Sequence, residues 1–322
     1  MIYNHQKLSE ELIENAAISP DDICDYSFYP LRDVIDRYFQ FCQGYLSHEC
    51  EIYDIQPARV FVRSHTSVNA SAYSNRHGYN IIAINAVTII TLYNFFNDKT
   101  DVFNCKALAE FKVLHQTLDL NRLLFDLCTQ FIFFHELAHL IQKPHLNMWF
   151  DETYNNSSSY SLEHHLYEYD ADIYAANNVV FLIIEYWKTQ VKVPRSQENL
   201  YLLLTTGLAG IFSYLVYLME SYQDIYYKSS KHPHLMVRIC YILDCFIRVT
   251  QCNFPNKCTI DSHTILSNAY KISDVFFGYE GKDLVKRFDM SFNKENSKIK
   301  SYINEDLEPK SKAMDNLVMN RF

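Results

Sequence analysis

Within the apolar run Phe133 to Leu140 stand His135, Glu136 and His139, two imidazoles four residues apart with a carboxylate beside the first. Successive residues of an α-helix are about 100° apart, so both rings project from one face, one turn apart, and can reach one metal ion. Glu136 points toward the position that such an ion keeps open for water, where a carboxylate can take up a proton. A catalytic zinc holds three protein ligands and one open position, so the chain must supply one more donor. Glu168 is placed for it, 168 − 139 = 29 residues beyond His139, far enough for a second helix to lie along the first. Asp172, at i+4 from Glu168, shares its face and can accept the N–H of a ligating imidazole, fixing the tautomer. His164, His165 and Asp170 are in reach by sequence as alternative ligands. Without a metal, the same stretch reads as an acidic helix face with Tyr167, Tyr169 and Tyr174 turned inward.

The elements that would carry these residues can be read from periodicity. Residues 118–143 predict the long helix of the two histidines, ended by Pro144. The polar run 145–162 predicts a mobile loop in front of the site, and 163–187 a second helix bearing Glu168 and Asp172. Upstream, 3–16 and 31–49 predict helices. Val60 and Val62 alternate in a strand, and 67–73 with 79–84 predict a hairpin around Ser74 to Gly78. That hairpin's edge, near 67–73, is where an extended peptide would add as a further strand. Residues 85–97 carry both β-branched residues and helical spacing, and the length favours helix. Further helices are predicted over 196–227 and 233–250, the second with Pro233 at its first position. After about Phe292 the apolar periodicity fades, which predicts a loosely held tail.

Composition limits the function classes. The 322 residues, 48% hydrophobic and 15% aromatic, are enough for a large core. Lys+Arg 29 against Asp+Glu 38 gives a net charge of −9, and basic clusters are missing, which argues against nucleic acid or an anionic membrane as the main partner. Nine scattered cysteines without a C-x-x-C pair suggest thiols in a reducing compartment, and the N-terminal residues lack a secretory pattern, so the cytoplasm is expected. The uncharged run Leu200 to Met219 is long enough to span a bilayer. A span there would separate His135 and Glu168 from His232, so a buried core helix and no membrane span are expected.

The order H-E-x-x-H (His135 to His139), E-x-x-A-D (Glu168 to Asp172) and H-P-x-x-x-x-R (His232-Pro233 to Arg238) resembles the HtpX-like gluzincin metallopeptidases and, more closely, the Lit-type phage-exclusion peptidases. Asn69-Ala70-Ser71-Ala72 is similar to the N-A-x-A strand of the HtpX-like enzymes, and the resemblance covers roughly residues 58–250. It implies an α+β fold, mostly helical, with a small antiparallel sheet packed by the metal-binding helices. It divides the chain into an N-terminal helical segment (1–57), a zincin-like core (58–250), a C-terminal helical segment (251–292) and a polar, loosely ordered tail (293–322).

The resemblance further implies Zn2+ held by His135, His139 and Glu168, with Glu136 as general base and His232 near the oxyanion. Asp172 would stand behind a ligand, and Arg238 would orient the loop. Lys231 replaces the Ser or Thr usual before His-Pro, and Asp170 stands where Glu is common. The implied activity is hydrolysis of a cytosolic protein, such as a translation factor, under a phage-derived activator. The alternatives are a membrane-associated housekeeping peptidase and a zinc-stabilised binding protein without turnover.

Overall fold

The computed structural model describes residues 2–75, 77–142, 150–151 (backbone only), 160–190, 192, 194–219, 223–254, 261–315 and 317–320. Helices α1 (His5–Glu14) and α2 (Arg32–Ile52) lead into strands β1 (Ala58–Arg63), β2 (Ala70–Ser74) and β3 (Asn80–Asn85). Then come α3 (Ala86–Asn97), the short α4 (Lys112–Thr117), α5 (Leu120–Gln142), β4 (Phe150–Asp151) and α6 (Leu162–Thr189). The second half is helical: α7 (Gln197–Leu218), α8 (Leu235–Asn253), α9 (Ser262–Tyr279), α10 (Leu284–Ser301), a π-type turn (Tyr302–Leu307), α11 (Glu308–Ser311) and a closing 3-10 turn (Val318–Asn320). The class is α+β, mostly helical. Pro144 and most of the polar run 145–162 lie outside the described residues.

β2 and β3 form the expected hairpin, with Ala72 opposite Ile82. Its turn is held by Asn75, whose side-chain oxygen accepts from the His77 and Tyr79 N–H groups, and by Gly78 at φ +85, a conformation that suits a residue without Cβ. The sheet is mixed, not antiparallel. Its order is β1-β3-β2-β4, and β1 runs parallel to β3 because the chain skips past the near strand of the hairpin to pair with the far one. The connecting residues are drawn aside by side chains. The Thr88 hydroxyl bridges the N–H and the carbonyl of Asn69, and Asn85 Nδ2 donates to the Ser67 carbonyl. Those bonds also explain why β2 starts at Ala70. The edge expected to accept a peptide near 67–73 is not open along its length, since β4 pairs with Ser71 and Ala72.

Period-two alternation gives the sheet two buried faces. Val60, Val62, Ile82 and Ile84 join the main core, while Phe61, Ile81 and Ala83 pack in a smaller cluster with Leu12 of α1. α5 lies at the centre, packed by α6, α7, α3 and β2, and a helix apolar nearly all round is stable only in such a place. α5 and α7 are each long and apolar enough to cross a membrane by length and composition, and each is 89% buried over its most apolar window. α7 fits against α5 through Gly210, where an added Cβ would lie 2.8 Å from the Leu124 carbonyl oxygen.

Three boundaries differ from the sequence expectation. α7 stops at Leu218, well short of 227, and residues 223–234 carry no helix. α8 starts at Leu235, because the His234 ring takes the cap by accepting from the Met236 N–H. Pro233 therefore precedes the helix. The tail, expected to be loosely held, is helical through Ser311 and buries Ile299, Tyr302, Leu307, Leu317 and Val318. Those anchors are too widely spaced to register as a period.

Candidate metal centre

α5 and α6 lie side by side, and their facing surfaces place His135, His139 and Glu168 together, each at most 2% exposed. Their donor atoms all lie within 4.8 Å of one another. The His135 and His139 Nε2 atoms are 3.0 Å apart, His135 Nε2 is 3.6 Å from Glu168 Oε2, and His139 Nε2 is 3.5 Å from Glu168 Oε1. Tetrahedral donors about 2.0–2.1 Å from an ion stand roughly 3.3 Å apart, so this triangle has the size of one face of a metal site.

The second atoms of the two rings fix which nitrogen is free. His135 Nδ1 lies 2.9 Å from Asp172 Oδ1, and His139 Nδ1 lies 2.9 Å from Gln142 Oε1. Ionised carboxylate and amide oxygens only accept, so these partners favour the tautomer with the proton on each Nδ1, which turns each Nε2 lone pair into the cluster. The amide of Gln142 cannot be turned over, because its nitrogen donates to the Tyr167 carbonyl at 3.1 Å and to Asp170 Oδ2 at 2.7 Å. In that tautomer two lone pairs stand 3.0 Å apart and repel unless a cation lies between them. Glu168 Oε2, buried, has no hydrogen-bond donor. The residues fit a metal ion.

The charges behind the cluster are paired. Arg238, fully buried, donates from Nε and Nη2 to the two oxygens of Asp172 at 2.8 Å each, and the Tyr241 hydroxyl donates to Asp172 Oδ2 at 2.6 Å. Burial alone would raise the Asp172 carboxyl; Arg238 and His135 outweigh it and bring it down to about 2. Arg238, expected to stand behind the site and orient the loop, grips this carboxylate. Burial likewise opposes the charge on Glu168, yet its neighbours, the charge of His232 first, hold it well below the usual carboxylate range. Burial lowers His139, which keeps it neutral.

His232 is 3% exposed, with Nδ1 3.4 Å from Glu168 Oε1, so residues on both sides of α7 in sequence meet in one cluster. Glu136 is buried on α5 beside His135. The alternative ligands are placed otherwise. His165 Nε2 lies 2.9 Å from the Ser230 carbonyl, to which it donates, and its Nδ1 lies 2.8 Å from the Tyr302 hydroxyl, from which it accepts. It ties α6 and the tail to the segment that carries His232. His164 is half-buried in the first turn of α6, and Asp170 accepts from Gln142 and from the tail. The Tyr167 hydroxyl donates to Glu163, while Tyr169 and Tyr174 pack on the rings of Tyr241 and Tyr53.

Gln142 and Tyr241 are the two participants the sequence reading missed. Each stands three residues after a recognised one, His139 and Arg238, and the i+3 helical spacing could have found both. Eight cysteines among the described residues are free thiols, none of them in the cluster. Protein-family models, curated proteins and solved structures give no match to the chain, so the chemistry of the site rests on its own geometry.

Proposed function

We propose that this protein is a zinc-dependent endopeptidase of gluzincin type that acts in the cytoplasm. The observation that carries the reading is the convergence of two imidazoles, each with its Nδ1 2.9 Å from an acceptor oxygen, and one buried carboxylate, with Glu136 next in the chain to the first imidazole. Two nitrogens and one oxygen suit Zn2+, and three protein donors leave the fourth position open, as catalysis requires and a structural zinc site does not. When bound, the ion acidifies a water molecule and polarises the scissile carbonyl. Glu136 takes the proton of the attacking water and delivers it to the leaving amine. His232, buried beside Glu168, donates to the oxygen on which charge develops. Asp172 and Gln142 keep both imidazoles in the tautomer that presents Nε2. The order of the three motifs supports a Lit-type substrate class, an extended segment of a cytosolic protein such as a translation factor, and a phage-derived activator.

The test is proteolysis of a cell lysate by the wild-type protein and by Glu136→Gln, with and without phage components, followed by a search for new N-termini. Wild-type protein is expected to generate a defined set, and Glu136→Gln to lose it while keeping its metal, because the amide preserves shape and removes the proton acceptor. Equal cleavage by the two proteins would overturn the reading.

A further inference from the structure

The last residues of the chain reach the metal centre through two side chains that the proposed chemistry leaves unexplained. The Val318 N–H donates to Asp170 Oδ2 at 2.8 Å and the Met319 N–H to Asp170 Oδ1 at 3.0 Å. Asp170 Oδ2 also accepts from Gln142 Nε2 at 2.7 Å, and Gln142 Oε1 accepts from His139 Nδ1 at 2.9 Å. Gln142 is 0% exposed, Asp170 2% and Val318 0%, while Met319, 39% exposed, closes the relay at the surface. The turn is fastened at both ends. Leu317 packs on Tyr167 and Met314, and Asn320 Nδ2 donates to the carbonyls of Ser311 and Met314.

We infer that the C-terminal turn is a positioning element of the metal centre, which sets His139 through Asp170 and Gln142. An amide has two ends, and what binds its nitrogen decides where its oxygen points. Asp170 and the Tyr167 carbonyl hold the nitrogen of Gln142, which leaves the oxygen facing His139 Nδ1. A buried carboxylate holds one place only if its own lone pairs are satisfied, and the two N–H groups of the turn do that. Without the turn, Asp170 gains water and freedom, Gln142 loses its anchor, and His139 can rotate or shift its proton to the nitrogen that must bind the ion. The effect belongs to metal affinity, since loss of a partner behind a ligating imidazole costs about 10–100-fold.

This inference rests on the zinc reading of the site, and its test does not use peptide cleavage. Zinc affinity is measured by competition with a chromophoric chelator for four full chains or variants: wild type, deletion of residues 317–322, Gln142→Leu and the two changes combined. The deletion is expected to weaken zinc about 10–100-fold, with the helical circular dichroism retained. In the Gln142→Leu background it is expected to add little, because both changes break one chain of contacts. Met319→Pro, which removes a single N–H, is expected to weaken zinc in the same sense and serves where the deletion fails to fold. In metal-free protein, the 15N signals of the His139 ring are expected to move toward a mixture of tautomers in the deleted chain or in Met319→Pro. Wild-type affinity in these tail variants, or a deletion effect undiminished by Gln142→Leu, would overturn the inference. Wild-type protein that bound no zinc would remove the metal centre and this coupling with it.

Discussion

His135 and His139 stand one turn apart on α5, yet the groups behind their Nδ1 atoms differ in charge and in place along the chain. Behind His135 is a closed ionic group, Asp172 with Arg238 and Tyr241, contributed by the cores of α6 and α8. Behind His139 is a neutral amide, held by Asp170 and through it by the last turn of the chain. The first support cannot be loosened without leaving a charge in the core. The second can be, since its outer member is the short turn Val318–Asn320 and the loss of two N–H donors alone takes no charged partner from the core. One imidazole is thus backed by a buried ionic group, and the other by an amide that leads to the turn Val318–Asn320.

The largest effect should come from breaking the ionic support. Arg238→Met leaves Asp172 buried without its cation, and removing one partner of a buried pair costs about 3–5 kcal/mol. Urea unfolding of metal-free protein at neutral pH should show that loss, and a change under about 1 kcal/mol would mean that water reaches the pair. A smaller effect should appear with acid, first on the side of the site tied to the tail. Burial holds His165 at about 4, below its ordinary 6.5, so between these values the unfolded chain binds the extra proton. The stability it contributes is complete above pH 6.5 and is lost as pH falls through the window to about 4. Asp172, brought down to about 2, keeps its charge across that window. Hydrogen exchange of metal-free protein should therefore loosen the residues around Ser230 and Tyr302 as pH drops from 6.5 to 4, together with the first turn of α8, whose cap His234 is also held at about 4. The middle of α8 around Tyr241 should stay protected. Loss of protection at both places together would remove the contrast. The smallest effect belongs to Tyr241→Phe, which deletes one hydrogen bond to Asp172 and should cost about 1–2 kcal/mol by urea unfolding, as a bond to a charged group does.

The cluster of His135, His139 and Glu168, which could hold a metal ion, was legible in the sequence because its information is local. His135 and His139 share a helical face, and so do Glu168 and Asp172; four-residue spacing within one element survives whatever the tertiary fold does. The central helix was legible too, since a run as apolar as 118–143 has no other place than a core. What could not be read was where distant pieces meet. β1 pairs with the far strand of the hairpin because side chains of Asn85 and Thr88 pull residues 67–69 aside, and no strand pattern encodes that. Asp170 looked like a spare ligand from its position beside Glu168. Only contacts with residues nearly 150 positions away give it another task. The tail looked loose because five buried side chains spread over twenty residues leave no period, although each fully buried one contributes about 1.5–3 kcal/mol.

The central claim is that His135, His139 and Glu168 hold one zinc with a position to spare. X-ray absorption at the zinc edge, taken together with metal content by plasma emission on protein dialysed against a weak chelator, tests it most directly. The account predicts about one zinc per chain, with two imidazoles and lighter oxygen scatterers at about 2.0–2.1 Å, and loss of the metal in Glu168→Ala. A wild-type protein without zinc, a sulfur-coordinated zinc, or a Glu168→Ala protein that keeps its full equivalent would contradict it.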